Sequence, residues 1–444
     1  MNNINFDEID KEITGMKLTK NLNGTIKKNS IKNIVTLLNL YDETRNKFIL
    51  NEFTGNIEVT DNIPDLYITK GLITNRVINS LASFLEKQTD VLFKDELIYK
   101  ALLDITNKHK YDPVKNRIEA VEWDKQERVA KYFIDHLGAE NNDYIKQVTV
   151  TWFKGMIARI YEQEVKFEVV PILTGKQGIG KSTAISRLMP DYFVDDLGSL
   201  GTNKDDLLKL ENACIVELAE LSALTNTQLE KTKSFISQTK DNYRRPYQSL
   251  NEVHYRNCVF IGTTNSTDFL KDKTGNRRFY PIECNKDNIT SPIFNVHEEE
   301  ILQVLAESKV LYEQDKTLYL SPEIMKQAEL EQEKYKEEDP LQDLITEYLN
   351  MPVPPNWDDL TITSKKEYYN NRKQGITTDD RNKINFVATD ELLEIVLGMN
   401  EKEKATTGKR SARRIKLIMQ SLNWKHCRRG KNKISGYKGT VKDS

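Results

Sequence analysis

The residues with the clearest chemistry in this chain form one short loop. Gly175, Gly178 and Gly180 precede Lys181 and Ser182 in the pattern G-x-x-x-x-G-K-S. Glycines let the backbone turn so that successive N–H groups face a phosphate, the lysine reaches the β and γ phosphates, and the serine can ligate Mg²⁺. The sequence therefore predicts a phosphate-binding loop whose ligands are ATP and Mg²⁺.

The segments on either side of the loop predict the elements that must position it. An apolar run over 168–173 leads into the loop, and a helical run from Thr183 to Met189 follows it. A helix that begins at the loop directs the positive end of its dipole at the phosphates. Thr183 is therefore included among the predicted nucleotide-binding residues. A glycine-rich turn without a ligand is the alternative interpretation.

Two further apolar runs end in side chains suited to hydrolysis. Glu217 follows the run 213–216, with Glu220 three residues later, and Asn265 ends the run 258–265. An acidic residue at such a strand end holds Mg²⁺ and polarises water. We predict that Glu217 and Ser182 ligate the metal ion. Either Glu217 or Glu220 would be the catalytic carboxylate that activates water. Asn265 is predicted to orient this water near the γ-phosphate. Ordinary surface residues after core strands are the alternative.

Two adjacent arginines, Arg277 and Arg278, lie in a turn before another strand-like run. An arginine supplied across a subunit boundary stabilises the charge of phosphoryl transfer. A ring of subunits would give one of them this catalytic role, and the sequence leaves open which. Isolated surface charges are the alternative interpretation.

Basic and aromatic residues interleave over 240–256, with the alternation of a hairpin. Cations can follow the phosphates of DNA and aromatic faces can stack on its bases. The predicted DNA-binding residues here are Lys240, Tyr243, Arg244, Arg245, Tyr247, His254 and Arg256. The alternative is a structural hairpin whose tyrosines pack inward, with Lys240 and Arg256 facing a pore.

Charge is unevenly distributed along the 444 residues. The net charge is −2, but 405–442 contains twelve Lys or Arg and no acidic residue, so the remainder carries −14. Such a basic segment favours a polyanionic partner. Ile415, Ile418, Met419 and Leu422 recur at helical spacing, and two short strand candidates follow at 424–428 and 433–437.

A basic helix followed by a basic hairpin predicts a winged-helix-like domain for duplex DNA. The predicted DNA-binding residues of this domain are Lys409, Arg410, Arg413, Arg414, Arg428, Arg429 and Lys431. A solvated basic tail is the alternative.

Composition places the chain among polar proteins. Charged residues make up 30%, no apolar run approaches membrane-spanning length, and the first residues lack signal-peptide character. The four cysteines form no C-x-x-C pair, and two of them lie in apolar strand-like runs, where buried free thiols are expected. We expect a cytoplasmic protein without a membrane partner.

The order of these features resembles the virulence-associated E family, a group similar to the superfamily 3 branch of AAA+ helicases. The strings that carry the resemblance are 109–113, 121–124, 215–222, 243–247, 260–265 and 274–279. The match covers 104–283 well and the basic end of the chain more loosely. Within the family, the chain looks most like replication-initiator (Rep) helicases of staphylococcal pathogenicity islands and phages. Some members carry a primase domain, but no primase-like metal motif is visible here, so priming does not follow.

The resemblance implies an α/β P-loop AAA+ core with a helical N-terminal region and a C-terminal winged-helix-like α+β domain. The predicted organisation is a mostly helical domain over 1–110, a helical collar over 111–165, the ATPase core over 166–285, a helical extension over 286–345, a linker over 346–385 and the basic domain over 386–444.

The function implied is an ATP-dependent DNA helicase that serves as replication initiator of a phage or mobile genetic island. The resemblance alone implies 3′→5′ polarity and a hexameric ring, which holds single-stranded DNA while the basic domain binds a duplex origin. Replication accessory proteins are further expected partners. There are two alternatives. One is a DNA-binding regulator that is switched by ATP and does not unwind DNA. The other is a P-loop enzyme that acts on a small molecule.

Overall fold

The computed structural model describes residues 18–197, 204–219, 226–245, 250–266, 269–270, 276–335, 340–376, 380–430 and 433–439. It divides into two compact units, Met1–Lys336 and Glu337–Ser444. The first unit is a mixed α/β structure with a parallel sheet, as the sequence predicts. None of the helices in these described ranges is long and apolar enough to cross a membrane.

The first part of unit one is a small sheet covered by helices. Its elements are α1 Ile31–Leu40, β1 Phe48–Asn51, β2 Ile57–Val59, β3 Gly71–Leu72, α2 Asn75–Thr89, α3 Asp95–Thr106, β4 Lys110–Tyr111 and α4 Pro113–Ile118. The sheet order is β3-β2-β1-β4, with β4 parallel to β1. The prediction of a mostly helical region missed this sheet, because strands of two to four residues show no alternation long enough to recognise.

The rest of unit one contains the parallel sheet and its helices. The elements are α5 Tyr132–Leu137, α6 Asp143–Tyr161, β5 Val170–Thr174, α7 Lys181–Ser186, β6 Phe193–Val194, α8 Lys204–Glu211, β7 Ile215–Ala219, α9 Asn226–Ile236, β8 Lys240–Tyr243, β9 Glu252–Tyr255, β10 Val259–Thr264, β11 Phe279–Glu283, α10 Glu298–Gln314 and α11 Pro322–Lys334. The five parallel strands have the order β11-β5-β10-β7-β6.

Both faces of this sheet are buried, as is usual for parallel strands. Val259 and Ile261 of β10 belong to one core, which also holds α6, while Phe260 between them belongs to the core on the opposite face. All residues of β5 and β10 are buried. These strands therefore form a rigid base for the loops at their carboxyl ends.

The segment 111–165, predicted as a helical collar or linker region, contains the helices α4, α5 and α6, and α6 packs against the parallel sheet. Trp152 Nε1 donates to the Phe260 carbonyl at 2.8 Å, and Arg159 Nη1 donates to the Cys258 carbonyl at 2.6 Å. Burial lowers the pKa of Arg159 to about 10. Side chains of α6 thus donate hydrogen bonds to backbone carbonyls in and next to β10. These bonds fix α6 against the sheet.

The predicted helical extension over 286–345 is divided between the two units. Helix α10 packs on α6, and α11 packs on β11, where Gln332 Nε2 donates to the Phe279 carbonyl at 2.8 Å. Residues 340–345 instead begin the first helix of unit two.

Unit two combines helices with a three-stranded antiparallel sheet of order β12-β14-β13. Its elements are α12 Pro340–Asn350, α13 Ile362–Lys373, β12 Phe386–Ala388, α14 Thr389–Glu391 continued by the π-helix Leu392–Val396, α15 Glu401–Ser421, β13 Trp424–Arg429 and β14 Ile434–Gly439. The predicted basic helix and its two strands are present. The helix begins earlier than Lys409, because Asn400 and Glu403 form a capping box there.

The predicted linker over 346–385 is folded and belongs to the core of unit two. Trp357 and Tyr369 are 3% and 5% exposed and pack with residues of α15. Lys365 Nζ donates to Glu391 Oε2 at 2.9 Å, and Tyr348 OH donates to Oε1 of the same carboxylate at 2.7 Å. This buried network joins the supposed linker to α14, so the basic domain begins well before residue 386.

Candidate functional site

A cleft of about 680 Å³ opens at the carboxyl ends of β5, β7 and β10. Ligands of open α/β sheets bind in the crevice outside this edge. The loop after β5, the end of β7 and the end of β10 all contribute to its lining. The predicted residues that line it are Gly178, Gly180, Lys181, Ser182, Thr183, Glu217 and Asn265.

The loop 175–182 needs glycine at positions where the backbone turns. Gly175 has φ +138°, and a Cβ there would lie 2.4 Å from the Cys284 carbonyl oxygen. Gly180 has φ +103°, and a Cβ there would lie 2.9 Å from Ile293 Cγ2. Both conformations disfavour other residues. The loop is therefore held close to the chain segments that follow β11.

Lys181 extends back across the loop rather than into solvent. Its Nζ donates to the Gly175 carbonyl at 2.7 Å, to the Lys176 carbonyl at 3.0 Å and to Asn265 Oδ1 at 3.0 Å. The side chain is 8% exposed, and burial lowers the pKa of its ammonium group from the ordinary value. The structure thus brings together the two residues that the sequence places 84 positions apart.

Ser182 and Glu217 also meet in the cleft. Ser182 Oγ donates to Glu217 Oε1 at 2.8 Å, and Thr263 Oγ1 donates to the same oxygen. Glu217 is 3% exposed, and among the described residues its Oε2 has no hydrogen-bond partner. A buried carboxylate oxygen without a partner is costly unless another group satisfies it.

The arrangement fits a magnesium ion. A hydroxyl oxygen and a carboxylate with an unused oxygen are the donors that Mg²⁺ takes from proteins, which usually supply one or two ligands beside substrate phosphates and water. No group of three or more His, Cys, Asp or Glu side chains suited to a metal is found in the described ranges. Ser182 and Glu217 could hold such an ion between them.

Several residues of the cleft were not predicted. Asp195 and Phe294 line it, and Thr263 binds Glu217. Thr263 could have been suspected, because it lies in the string Gly-Thr-Thr-Asn that ends β10. Asp195 follows β6, and Phe294 lies in the short 3-10 helix Ile293–Asn295. Neither segment carries a sequence motif, so only the fold places these residues here.

The two arginines lie in different surroundings. Arg278 Nε donates to Ser237 Oγ at 2.9 Å, and its Nη2 lies 3.4 Å from Glu168 Oε1. The Arg277 side chain is exposed. Arg278 is thus engaged within its own chain, whereas Arg277 is accessible to another molecule.

Strands β8 and β9 form the predicted antiparallel hairpin, but several predicted DNA contacts point inward. Arg256 is 5% exposed, and its Nε donates to Asp241 Oδ2 at 2.7 Å. Its guanidinium also lies over the Phe235 ring at 4.0 Å. The prediction that Arg256 faces a pore is therefore wrong, because a desolvated ion pair holds it in the core.

Three further hairpin residues converge on Glu211 at the end of α8. Tyr243 OH donates to Glu211 Oε2 at 2.8 Å, His254 Nδ1 lies 2.9 Å from Oε1, and Arg245 pairs with Oε1. Arg245 Nη2 also donates to the Thr54 carbonyl at 3.2 Å. These contacts favour the structural interpretation for Tyr243, Arg245 and His254.

Among the described residues of the hairpin, two cations remain exposed. Lys240 lies 2.7 Å from Glu164 in a surface ion pair, and Arg244 follows the end of β8. Surface pairs of this kind contribute little and exchange readily. The predicted site residues Glu220, Tyr247 and Lys431 lie outside the described residues.

In unit two the basic residues of α15 and β13 lie on the surface. Those found exposed are Lys409, Arg410, Arg413, Arg414, Arg428 and Arg429. Ile415, Ile418 and Met419 are fully buried beneath them, as the helical spacing predicts. Arg429 also pairs with Asp358 Oδ2 at 2.8 Å.

Solved structures similar to this chain include two apo structures of the NrS-1 C terminal region (305-718). One has 15% and the other 16% identity, and each has a TM-score of 0.44 and covers 88% of this chain and 96% of that chain. No curated protein matches the chain.

A family model gives the assignment. The model of the virulence-associated protein E-like domain matches residues 118–337, which confirms the resemblance seen in the sequence. All the residues that line the cleft lie between these bounds. Residues 118–337 are therefore similar to the virulence-associated protein E-like domain, and the cleft lies within these residues.

Proposed function

We propose that this chain is an ATP-dependent DNA helicase that initiates replication of a phage or mobile genetic island. The observation that carries the proposal is the cleft, in which Lys181 binds Asn265 while Ser182 binds Glu217. A P-loop AAA+ core of the superfamily 3 type would have these four residues around the ATP phosphates.

The side chains of the cleft would have different roles in ATP hydrolysis. Lys181 would exchange its backbone carbonyl partners for the β and γ phosphates, with the loop N–H groups beside them. Mg²⁺, held by Ser182 and Glu217, would neutralise phosphate charge. Glu217 or Glu220 would accept a proton from the attacking water, and Asn265 would orient that water.

The exposed Arg277 is the better candidate for a residue that acts on ATP bound by a neighbouring subunit. This role requires an oligomer, and we propose the hexameric ring that the resemblance implies. Lys240 and Arg244 are the described hairpin cations left to contact single-stranded DNA within it. The basic surface of unit two, a winged-helix-like domain in this proposal, would bind duplex DNA.

The test is unwinding of a 3′-tailed fork, measured beside ATP turnover with and without single-stranded DNA. Lys181→Ala should abolish both activities. Lys176→Ala is the matched control, because this lysine is in the same loop with an exposed side chain. It should retain both activities.

The result also separates the proposal from its rivals. DNA-stimulated turnover without unwinding of either a 3′- or a 5′-tailed fork would favour the regulator that assembles on DNA. Turnover that DNA does not change would favour a P-loop enzyme with a small-molecule substrate. Unwinding that persists in Lys181→Ala would contradict the assignment of the cleft.

A further inference from the structure

A second, smaller cavity lies in unit two, between the basic helix and the sheet. It has a volume of about 300 Å³ and is bounded by α15, by β13 and β14, and by Thr389 at the start of α14. Side chains of the helix, of both strands and of Thr389 line the cavity, and their types define which ligand it could take.

Three cations of α15 face this cavity. Lys409, Arg413 and Lys416 follow one another at spacings of four and three residues, which places them on one edge of a helix. Arg410 and Arg414 do not line the cavity. The basic helix therefore has two different edges, which its sequence pattern does not distinguish, and Lys416 lies on the edge that faces the cavity.

The opposite wall supplies donors in a defined arrangement. His426 Nε2 lies 2.9 Å from Ser435 Oγ across the β13–β14 pair, and the edge of the imidazole meets the Tyr437 ring with centroids 5.4 Å apart. Thr389 adds a second hydroxyl. Among the described residues that line the cavity, none is acidic.

We propose that this cavity binds one phosphate group of the backbone of duplex DNA. Positive charge from three side chains matches the oxyanion, and hydroxyl and imidazole groups can donate to its oxygens. Because the three cations line one small cavity, we expect all three to contact the same phosphate. The proposal rests on the DNA-binding role of unit two given above and names the position at which the backbone is held.

A shared phosphate has a measurable consequence. Each phosphate that a protein neutralises contributes about −0.9 to the slope of log affinity against log salt. Arg413→Gln should leave the slope nearly unchanged, because Lys409 and Lys416 still neutralise the shared phosphate. The triple variant Lys409→Gln, Arg413→Gln, Lys416→Gln should make the slope less steep by about 0.9 in total. Independent surface contacts would instead give additive changes.

The experiment uses the full chain and a short fluorescein-labelled duplex, with anisotropy recorded over a range of salt concentrations. Acetylation of lysines, followed by mass spectrometry, is measured on the same samples. Duplex should slow acetylation of Lys409 and Lys416 severalfold. Lys402 lies on the same helix with an exposed side chain and does not line the cavity, so it should react at an unchanged rate, and Lys402→Gln should retain the wild-type slope.

The outcomes separate this proposal from the proposed function. Duplex binding with unprotected Lys409 and Lys416, or with additive changes in slope, would overturn the phosphate site and leave DNA binding intact. Protection by millimolar inorganic phosphate but not by duplex would assign the cavity to a free anion and overturn the DNA backbone as its ligand. If the wild-type chain binds no duplex at all, the result contradicts both the phosphate site and the DNA-binding role of unit two. The nucleotide cleft is then tested by ATP turnover alone.

Discussion

The two oxygens of the Glu217 carboxylate differ in their contacts. Oε1 accepts hydrogen bonds from Ser182 and Thr263, while Oε2 is buried without a partner among the described residues. An amide in the same place keeps one oxygen for the two hydroxyls and removes the negative charge. The residue can therefore be tested for its charge without a change in size.

Glu217→Gln should lower ATP turnover at least about 100-fold, the effect expected for loss of a general base. Nucleotide binding should persist, because the loop and Lys181 remain in place. Steady-state turnover and binding of a fluorescent ATP analogue measure the two separately. Turnover within tenfold of wild type would instead point to Glu220 as the residue that activates water.

The arginine pair offers a second comparison between neighbouring residues. Arg277→Ala should reduce turnover by a factor of about 1,000, the lower end for an arginine finger, without a change in melting temperature, because its side chain is exposed. Arg278→Ala should lower the melting temperature, since it removes contacts with Ser237 and Glu168.

Mixed assemblies test whether Arg277 acts across a subunit boundary. Arg277→Ala subunits retain an intact loop, and Lys181→Ala subunits retain the arginine, so a mixture contains some complete sites. Turnover in the mixture should exceed that of either variant alone. Equal or lower turnover at every mixing ratio would argue that Arg277 acts within its own chain or not at all.

At the scale of single elements, the hairpin shows which contacts hold β8 and β9 in place. Arg256→Met should destabilise unit one by about 3–5 kcal/mol, because the carboxylate of Asp241, whose side chain is 12% exposed, is left without its partner. Arg244→Met on the same hairpin should leave stability unchanged and weaken stimulation of turnover by single-stranded DNA. Urea unfolding and DNA titration measure these effects, and equal loss of stability in both variants would contradict the assignment.

The buried network of unit two supports a similar argument for the segment predicted as a linker. Lys365→Met should destabilise this unit by about 3–5 kcal/mol, since the carboxylate of Glu391 is 2% exposed and loses its cation. Replacing Glu391 by Gln as well should recover most of the loss. Circular dichroism in urea measures both, and a stability unchanged by Lys365→Met would indicate that the ion pair does not support the fold.

The hairpin and the linker also show where sequence reasoning ends. The loop 175–182 was predictable because its motif is contiguous and each residue type has its own chemical reason. Alternation over 240–256 predicted the hairpin, but a two-residue period does not say which face is buried, so Arg256 was placed on the wrong side. The linker prediction failed because its core depends on Trp357, Tyr369 and Glu391, which only the fold brings together.

At the scale of the whole molecule, the four cysteines report separately on the two units. Cys214, Cys258 and Cys284 of unit one are buried, and Cys427 of unit two is partly exposed. Burial raises the pKa of the Cys284 thiol to about 12 and also raises those of Cys214 and Cys258. Since the thiolate is the reactive form, one thiol should react in the folded chain and three more should react when unit one unfolds.

This difference gives a test of the nucleotide cleft that does not depend on turnover. Cys284 follows β11, and its carbonyl lies close to the loop at Gly175, so a ligand of that loop stabilises the unit in which the three buried thiols lie. Magnesium and ATP at about 100 times the dissociation constant should raise the stability of unit one by about 2.7 kcal/mol. The urea concentration at which these thiols become reactive should rise accordingly in the wild type and not in Lys181→Ala, while labelling of Cys427 stays the same in both. A shift that Lys181→Ala retains would place the stabilising ligand elsewhere in the chain.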